Sequence, residues 1–110
     1  MTTALNPRKL SFSTNWNGKL DCTYFTTLRL SSFNVGDALE IWHKSLYKGE
    51  GRVVDKKIIN LNQISDWIGY LDTGYNAHET KKILMTMHHT VTDWDKQLIY
   101  YYLIEKTARI

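Results

Sequence analysis

The sequence predicts an α+β domain: a small β-barrel of about five strands, closed or half-closed, with two short helices inserted before the last strand. Three observations predict it. Apolar and polar residues alternate with a period of two over much of the chain, as half-buried strands require. Between Leu61 and Met87 the period changes to three and four residues, the spacing of helices. The strands are short and joined by charged loops, and closing such a sheet removes edges that invite aggregation. A chain of 110 residues has the length of one domain. Residues 9–107 are expected to form it, after a flexible N-terminus over residues 1–8.

Leu10, Phe12, Thr14 and Trp16 alternate with Ser11, Ser13 and Asn15. Asn17-Gly18 suits a type I′ turn, since both residues accept positive φ. Lys9–Trp16 and Lys19–Leu30 are therefore expected to pair as an antiparallel hairpin, with a link too short for a helix. Phe25–Leu30 is rich in β-formers. Ser31–Asn34 are turn formers, and Val35-Gly36-Asp37 turns the chain into a strand over Ala38–His43. A loop is expected over Lys44–Gly51, with Gly49-Glu50-Gly51 free to turn or to touch a ligand. Arg52–Asn60 follows as a strand, bulged at Asp55-Lys56-Lys57.

Leu61, Ile64, Trp67, Ile68 and Leu71 share one helical face, with Asn60 and Gln63 as a capping box and Asp72-Thr73-Gly74 as the stop. Asn76 and Glu79 cap a second helix, whose apolar face is Ala77, Ile83, Leu84 and Met87 and whose end is His88-His89. Gln97–Glu105 is apolar on both faces and is therefore expected to be a central strand.

Composition narrows the function. At 43% hydrophobic and 23% charged, with one proline, the chain suits a folded soluble domain rather than a disordered one. It holds no apolar run of about 20 residues for a bilayer and no apolar leader at its start. A single cysteine, Cys22, makes neither an internal disulfide nor a cysteine-built metal site. A cytoplasmic protein with no cofactor, no metal and no membrane partner is expected; the oligomeric state is left open. The net charge of +3 is uneven: Lys44, Lys48, Arg52, Lys56 and Lys57 face only Glu50 and Asp55 across residues 44–57. That is the footprint of an anionic partner, or else a hairpin kept soluble by its lysines.

Candidate nucleophiles are few. Cys22 is read as a small packed residue, and His43, His78, His88 and His89 as surface or capping residues without a zinc-binding spacing. Lys48-Gly49-Glu50-Gly51 lacks the helix N-terminus of a phosphate loop. The odd residue is Arg29, between Leu28 and Leu30. It either lies on a solvent face or needs an acid, carbonyls or a bound anion.

Thr26-Thr27-Leu28-Arg29, a spacer, and Val35-Gly36-Asp37-Ala38-Leu39 resemble the ASCH family of PUA-like domains, loosely from Leu10 to Lys106. Thr27, Arg29, Val35, Gly36, Asp37 and Leu39 fall on its pattern. Tyr24 stands where the family has a lysine, and the glycine before that lysine is missing. The resemblance implies a PUA-like barrel that binds RNA or a modified nucleotide in a basic cleft between barrel and helices. Arg29, Lys44, Arg52 and Lys57 would supply charge, Tyr24, Trp42 and Tyr75 stacking, and Thr26 and Thr27 hydroxyls. Asp72 would bond nearby amides or pair with Arg29 across the cleft. Some bacterial members are amidohydrolases of N4-acetylcytidine that pair the lysine and threonine with a glutamate. For that activity Thr27 falls on the threonine, Tyr24 stands at the lysine, and Asp72, a shorter carboxylate without the glutamate's register, would stand in for the glutamate. The binding module is the expected function, with the amidohydrolase and a protein-interaction domain as alternatives.

Overall fold

The computed structural model describes residues 8–108. The flexible segment expected over residues 1–8 lies outside them except for Arg8, which opens the first strand. Five strands form one mixed sheet: β1 (Arg8–Phe12), β2 (Tyr24–Arg29), β3 (Ala38–His43), β4 (Leu46–Ile59) and β5 (Ile99–Ala108). Their order is β1-β3-β4-β5-β2, with β1 parallel to β3 and the other neighbours antiparallel. Two helices, α1 (Asp66–Asp72) and α2 (Ala77–Met87), lie between β4 and β5 in sequence. The α+β class and the two inserted helices are as the sequence predicts.

The hairpin at Asn17-Gly18 does not form. Both residues take positive φ, 57° and 65°, as the turn signal requires. They do so inside a 3₁₀ segment, Trp16–Asp21, which is also the helix the link was expected to be too short for. β1 and β2 then part to opposite ends of the sheet. A turn sequence fixes local dihedrals, not the partners of the flanking strands. Pairing β1 with β3 instead buries Leu10 and Phe12 among Leu39 and Ile41.

The sheet is not closed into a barrel. β1 and β2 do not pair among the described residues. Instead the sheet curls until the Phe12 and Phe25 rings meet edge to face at 6.0 Å. Lys19 stands in that seam, its amine 5.1 Å from the Phe12 ring centre and 6.0 Å from that of Phe25. Side chains thus occupy the space where a closing ladder would run.

The loop expected over Lys44–Gly51 is also mostly strand. The chain turns at Lys44 and Ser45, with Lys44 at φ 56°, and β4 begins at Leu46. Gly51 lies in mid-sheet, where a Cβ would come 2.8 Å from the Glu105 carbonyl oxygen and 3.0 Å from Ile41. Its lack of a side chain permits close packing, not mobility. The bulge expected near Asp55 is present, as a register shift between Val53 and Asp55.

β5 is an interior strand packed on both faces. Tyr102 and Ile104 join one core with Leu10, Phe25, Leu39 and Ile41, while Ile99 joins another with Leu28, Ile64 and Leu84. The single helix expected from Leu61 is broken into a 3₁₀ turn, Leu61–Gln63, and α1, whose N-cap Ser65 accepts from the Ile68 amide at 3.2 Å. The break shifts the buried face to Ile64, Gly69 and Asp72, leaving Trp67 76% exposed. Asn76 caps α2 as predicted, accepting from the Glu79 amide at 2.9 Å.

Candidate functional site

Alternation along β2 decides what its side chains meet. Phe25 and Arg29 face Phe12, across the seam, with the Arg29 guanidinium 4.4 Å from the Phe12 ring centre. Thr27 lies on the same face, and Arg29 Nε donates to its hydroxyl at 3.2 Å. Arg29 is therefore not on an outer wall. It lines a narrow cleft of about 80 Å³ between the seam of the sheet and the helices. Thr27, Asp72, Lys19, Trp16 and His88 line the same cleft.

The 3₁₀ segment brings Lys19 there. Asn17, in its left-handed conformation, donates to the Tyr70 carbonyl at 3.3 Å, which ties the segment to α1. Asn15 accepts from the Leu20 amide at 2.9 Å and fixes the turn itself. Lys19 and Asp72 then form an ion pair, 4% and 6% exposed. The Lys19 amine also donates to the Thr26 carbonyl at 2.8 Å. Asp72 sits at the last turn of α1, where the helix dipole disfavours a carboxylate, so it needs its cation.

The α1–α2 corner holds Asp72 in place. Thr73 donates to the Gly69 carbonyl at 3.0 Å, and its hydroxyl meets that of Thr80 at 2.9 Å. A Cβ on Gly69 would lie 2.6 Å from the Tyr75 carbonyl oxygen, so only glycine lets the two helices approach this closely.

Burial dominates the electrostatics. It pushes the Lys19 amine below its usual range, against the pull of Asp72. It pushes the Asp72 carboxyl up, against Lys19 and then Arg29. It lowers the Arg29 guanidinium to about 10, against the field of Asp72, which leaves it protonated at neutral pH. His88 is lowered by burial and then by Arg29, which favours its neutral form.

The other expected contacts lie elsewhere. Tyr24 is exposed and donates to Glu105 at 2.9 Å, while Arg52 pairs with the same carboxylate at 3.0 Å. Trp42 packs on Tyr47 at 5.3 Å, with the Lys9 amine 4.7 Å from its ring centre. Thr26 faces a second hollow with Lys57 and Tyr101. Lys44 is at the β3–β4 turn. Tyr75 is half-exposed and meets Trp16 edge-on at 6.5 Å, so it supports a wall of the cleft without lining it. Thus the structure gathers Thr27, Arg29 and Asp72, and leaves Thr26, Trp42, Lys44, Arg52 and Tyr75 outside. Sequence reasoning missed Lys19 and Trp16. The Asn17-Gly18 pair between them was the available signal, because a left-handed turn reverses the chain and can aim both flanking side chains inward.

Among the described residues no group of three or more His, Cys, Asp or Glu gathers to hold a metal ion. No described helix is long and apolar enough to cross a membrane.

No family model matches the sequence, and no curated protein matches it. A similar solved structure is protein EF3133 from Enterococcus faecalis V583, of the DUF984 family model. Its TM-score is 0.74 at 12% identity, covering 97% of this chain and 80% of that one. The likeness shows a shared fold.

Proposed function

We propose that the cleft binds a single nucleoside or nucleotide. One observation carries this reading: Lys19, Thr27, Arg29 and Asp72, from three separate elements, converge in one cleft walled by Trp16. An indole face suits a base, and buried donors and acceptors suit its hydrogen-bonding edges. The resemblance to the ASCH family supports the same ligand class. The cations of residues 44–57 do not extend the cleft, so a long RNA strand tracked along them is not favoured. The test is titration with ribonucleosides and their monophosphates, followed by Trp fluorescence. Saturable binding is expected in the wild type and weakened by Trp16→Ala. No binding to any of them overturns the reading and leaves the protein-interaction alternative.

A second reading is favoured by Lys19 itself. The amidohydrolase pattern lacks its lysine at Tyr24, yet Lys19 supplies a buried amine beside Asp72 and bonded to the backbone next to Thr27. Burial lowers the Lys19 amine against the pull of Asp72, the direction a general base requires. The expected outcome is release of acetate from N4-acetylcytidine, abolished by Lys19→Met and by Thr27→Ala. No turnover at high enzyme concentration removes this reading alone.

A further inference from the structure

We infer that the occupant of the cleft carries an oxyanion, and that this group docks on the open edge of the Arg29 guanidinium. The inference rests on the nucleoside-or-nucleotide reading and narrows it to a nucleotide, whose phosphate is that oxyanion.

Lys19 and Arg29 bring two cations to the cleft, and Asp72 brings one carboxylate. Lys19 contacts that carboxylate; Arg29 forms no ion pair among the described residues. A partly buried cation without a contacting counterion is unfavourable, and an anionic ligand would relieve it. The other described arginines are not in this position. Arg8 lies 3.9 Å from Asp37 and donates to the Ser32 carbonyl at 2.8 Å, and Arg52 pairs with Glu105 at 3.0 Å, each with a largely open side chain.

The guanidinium is also held in a fixed attitude. The Thr27 hydroxyl accepts from Nε, and the Phe12 ring supports one face at 4.4 Å. The two terminal nitrogens make no hydrogen bond with the described residues. Two parallel N–H groups on one rigid edge match two oxygens of a phosphate or carboxylate. Because the group is already oriented, little further ordering cost attends docking.

The experiment titrates the full chain with inorganic phosphate, with cytidine, and with cytidine 3′- and 5′-monophosphate, and repeats the series with the other ribonucleosides. At least one monophosphate is expected to bind about tenfold or more tightly than its nucleoside, the size expected of a charge-assisted contact. Inorganic phosphate should compete with it, and Arg29→Met should remove the advantage while Arg29→Lys keeps part of it. If Arg29→Met fails to fold in a thermal melt, the wild-type comparison alone decides. Equal affinity for nucleoside and monophosphates overturns the inference and leaves the nucleoside reading intact. Binding of inorganic phosphate with no preference for any nucleotide supports the oxyanion edge and overturns the nucleotide reading. No binding of any probe overturns both.

Discussion

The stretch from Lys44 to Lys57 carries five cations on one turn and one strand, whereas the cleft carries two, Lys19 from the 3₁₀ segment and Arg29 from β2. In the first region the cations are mostly spent at the surface. Arg52 pairs with Glu105, Lys48 with Asp21, and Lys56 donates to Ser32 at 2.9 Å. In the second, burial removes water and one carboxylate serves two cations. The difference teaches that a charged site is made by desolvation and incomplete pairing, not by the density of lysines along the sequence. Surface pairs contribute little, while buried ones carry large and opposing terms.

The largest effect is expected from removing the shared carboxylate. Asp72→Ala leaves a buried and a partly buried cation unpaired and is expected to destabilise the fold by about 3–5 kcal/mol in urea unfolding. Lys19→Met should cost less, because Asp72 and Arg29 still offset each other. A double Lys19→Met/Asp72→Leu variant should recover much of the loss; equal damage from all three would mean that packing, not charge, governs the region. Next in size is Gly69→Ala, which forces the α1–α2 corner apart and is expected to cost about 1–3 kcal/mol. It should also weaken nucleotide binding, since Asp72 lies on that corner.

Smaller effects belong to the other region. Lys44→Gln and Lys57→Gln should each change stability by no more than about 0.5 kcal/mol and leave nucleotide affinity unchanged. A large loss of affinity would show that the stretch contributes to the site after all. The smallest effect is that of His88. Its folded pKa lies below 6.5, so on acidification the unfolded chain takes up the proton first. Stability is thus lost as pH falls from 6.5 through the folded midpoint, and NMR titration of the imidazole should place that midpoint below 6.5.

Much of the secondary structure was legible because it rests on local rules. Ala38–His43 was read to the residue, and the Asn76 cap and the two-sided packing of β5 followed from pattern alone. What failed was non-local. Asn17-Gly18 has its expected dihedrals, but nothing in four residues says that β1 will join β3. Gly49-Glu50-Gly51 has loop composition, yet Gly51 is required because the Glu105 backbone passes so close. Half the site was legible in the same sense. Arg29 was out of place in an apolar strand, Thr27 fell on the ASCH pattern, and Asp72 was the carboxylate that could stand in for the family's glutamate. Lys19 was not, since no rule of spacing links it to Asp72, 53 residues away. Tyr24 occupied the motif's lysine position but ended on the surface with Glu105.

The bonding of β5 along both sides also governs how the molecule comes together. Tyr24, at the start of β2, meets Glu105, 81 residues later. During synthesis β2 therefore emerges with Thr27 and Arg29 long before it has a ladder to join. The cleft takes shape only when β5 leaves the ribosome, as one late and cooperative event. Until then β2 and one edge of β4 stay unpaired, and any product that stops short of Ile99 is left without the strand on which β2 is hung.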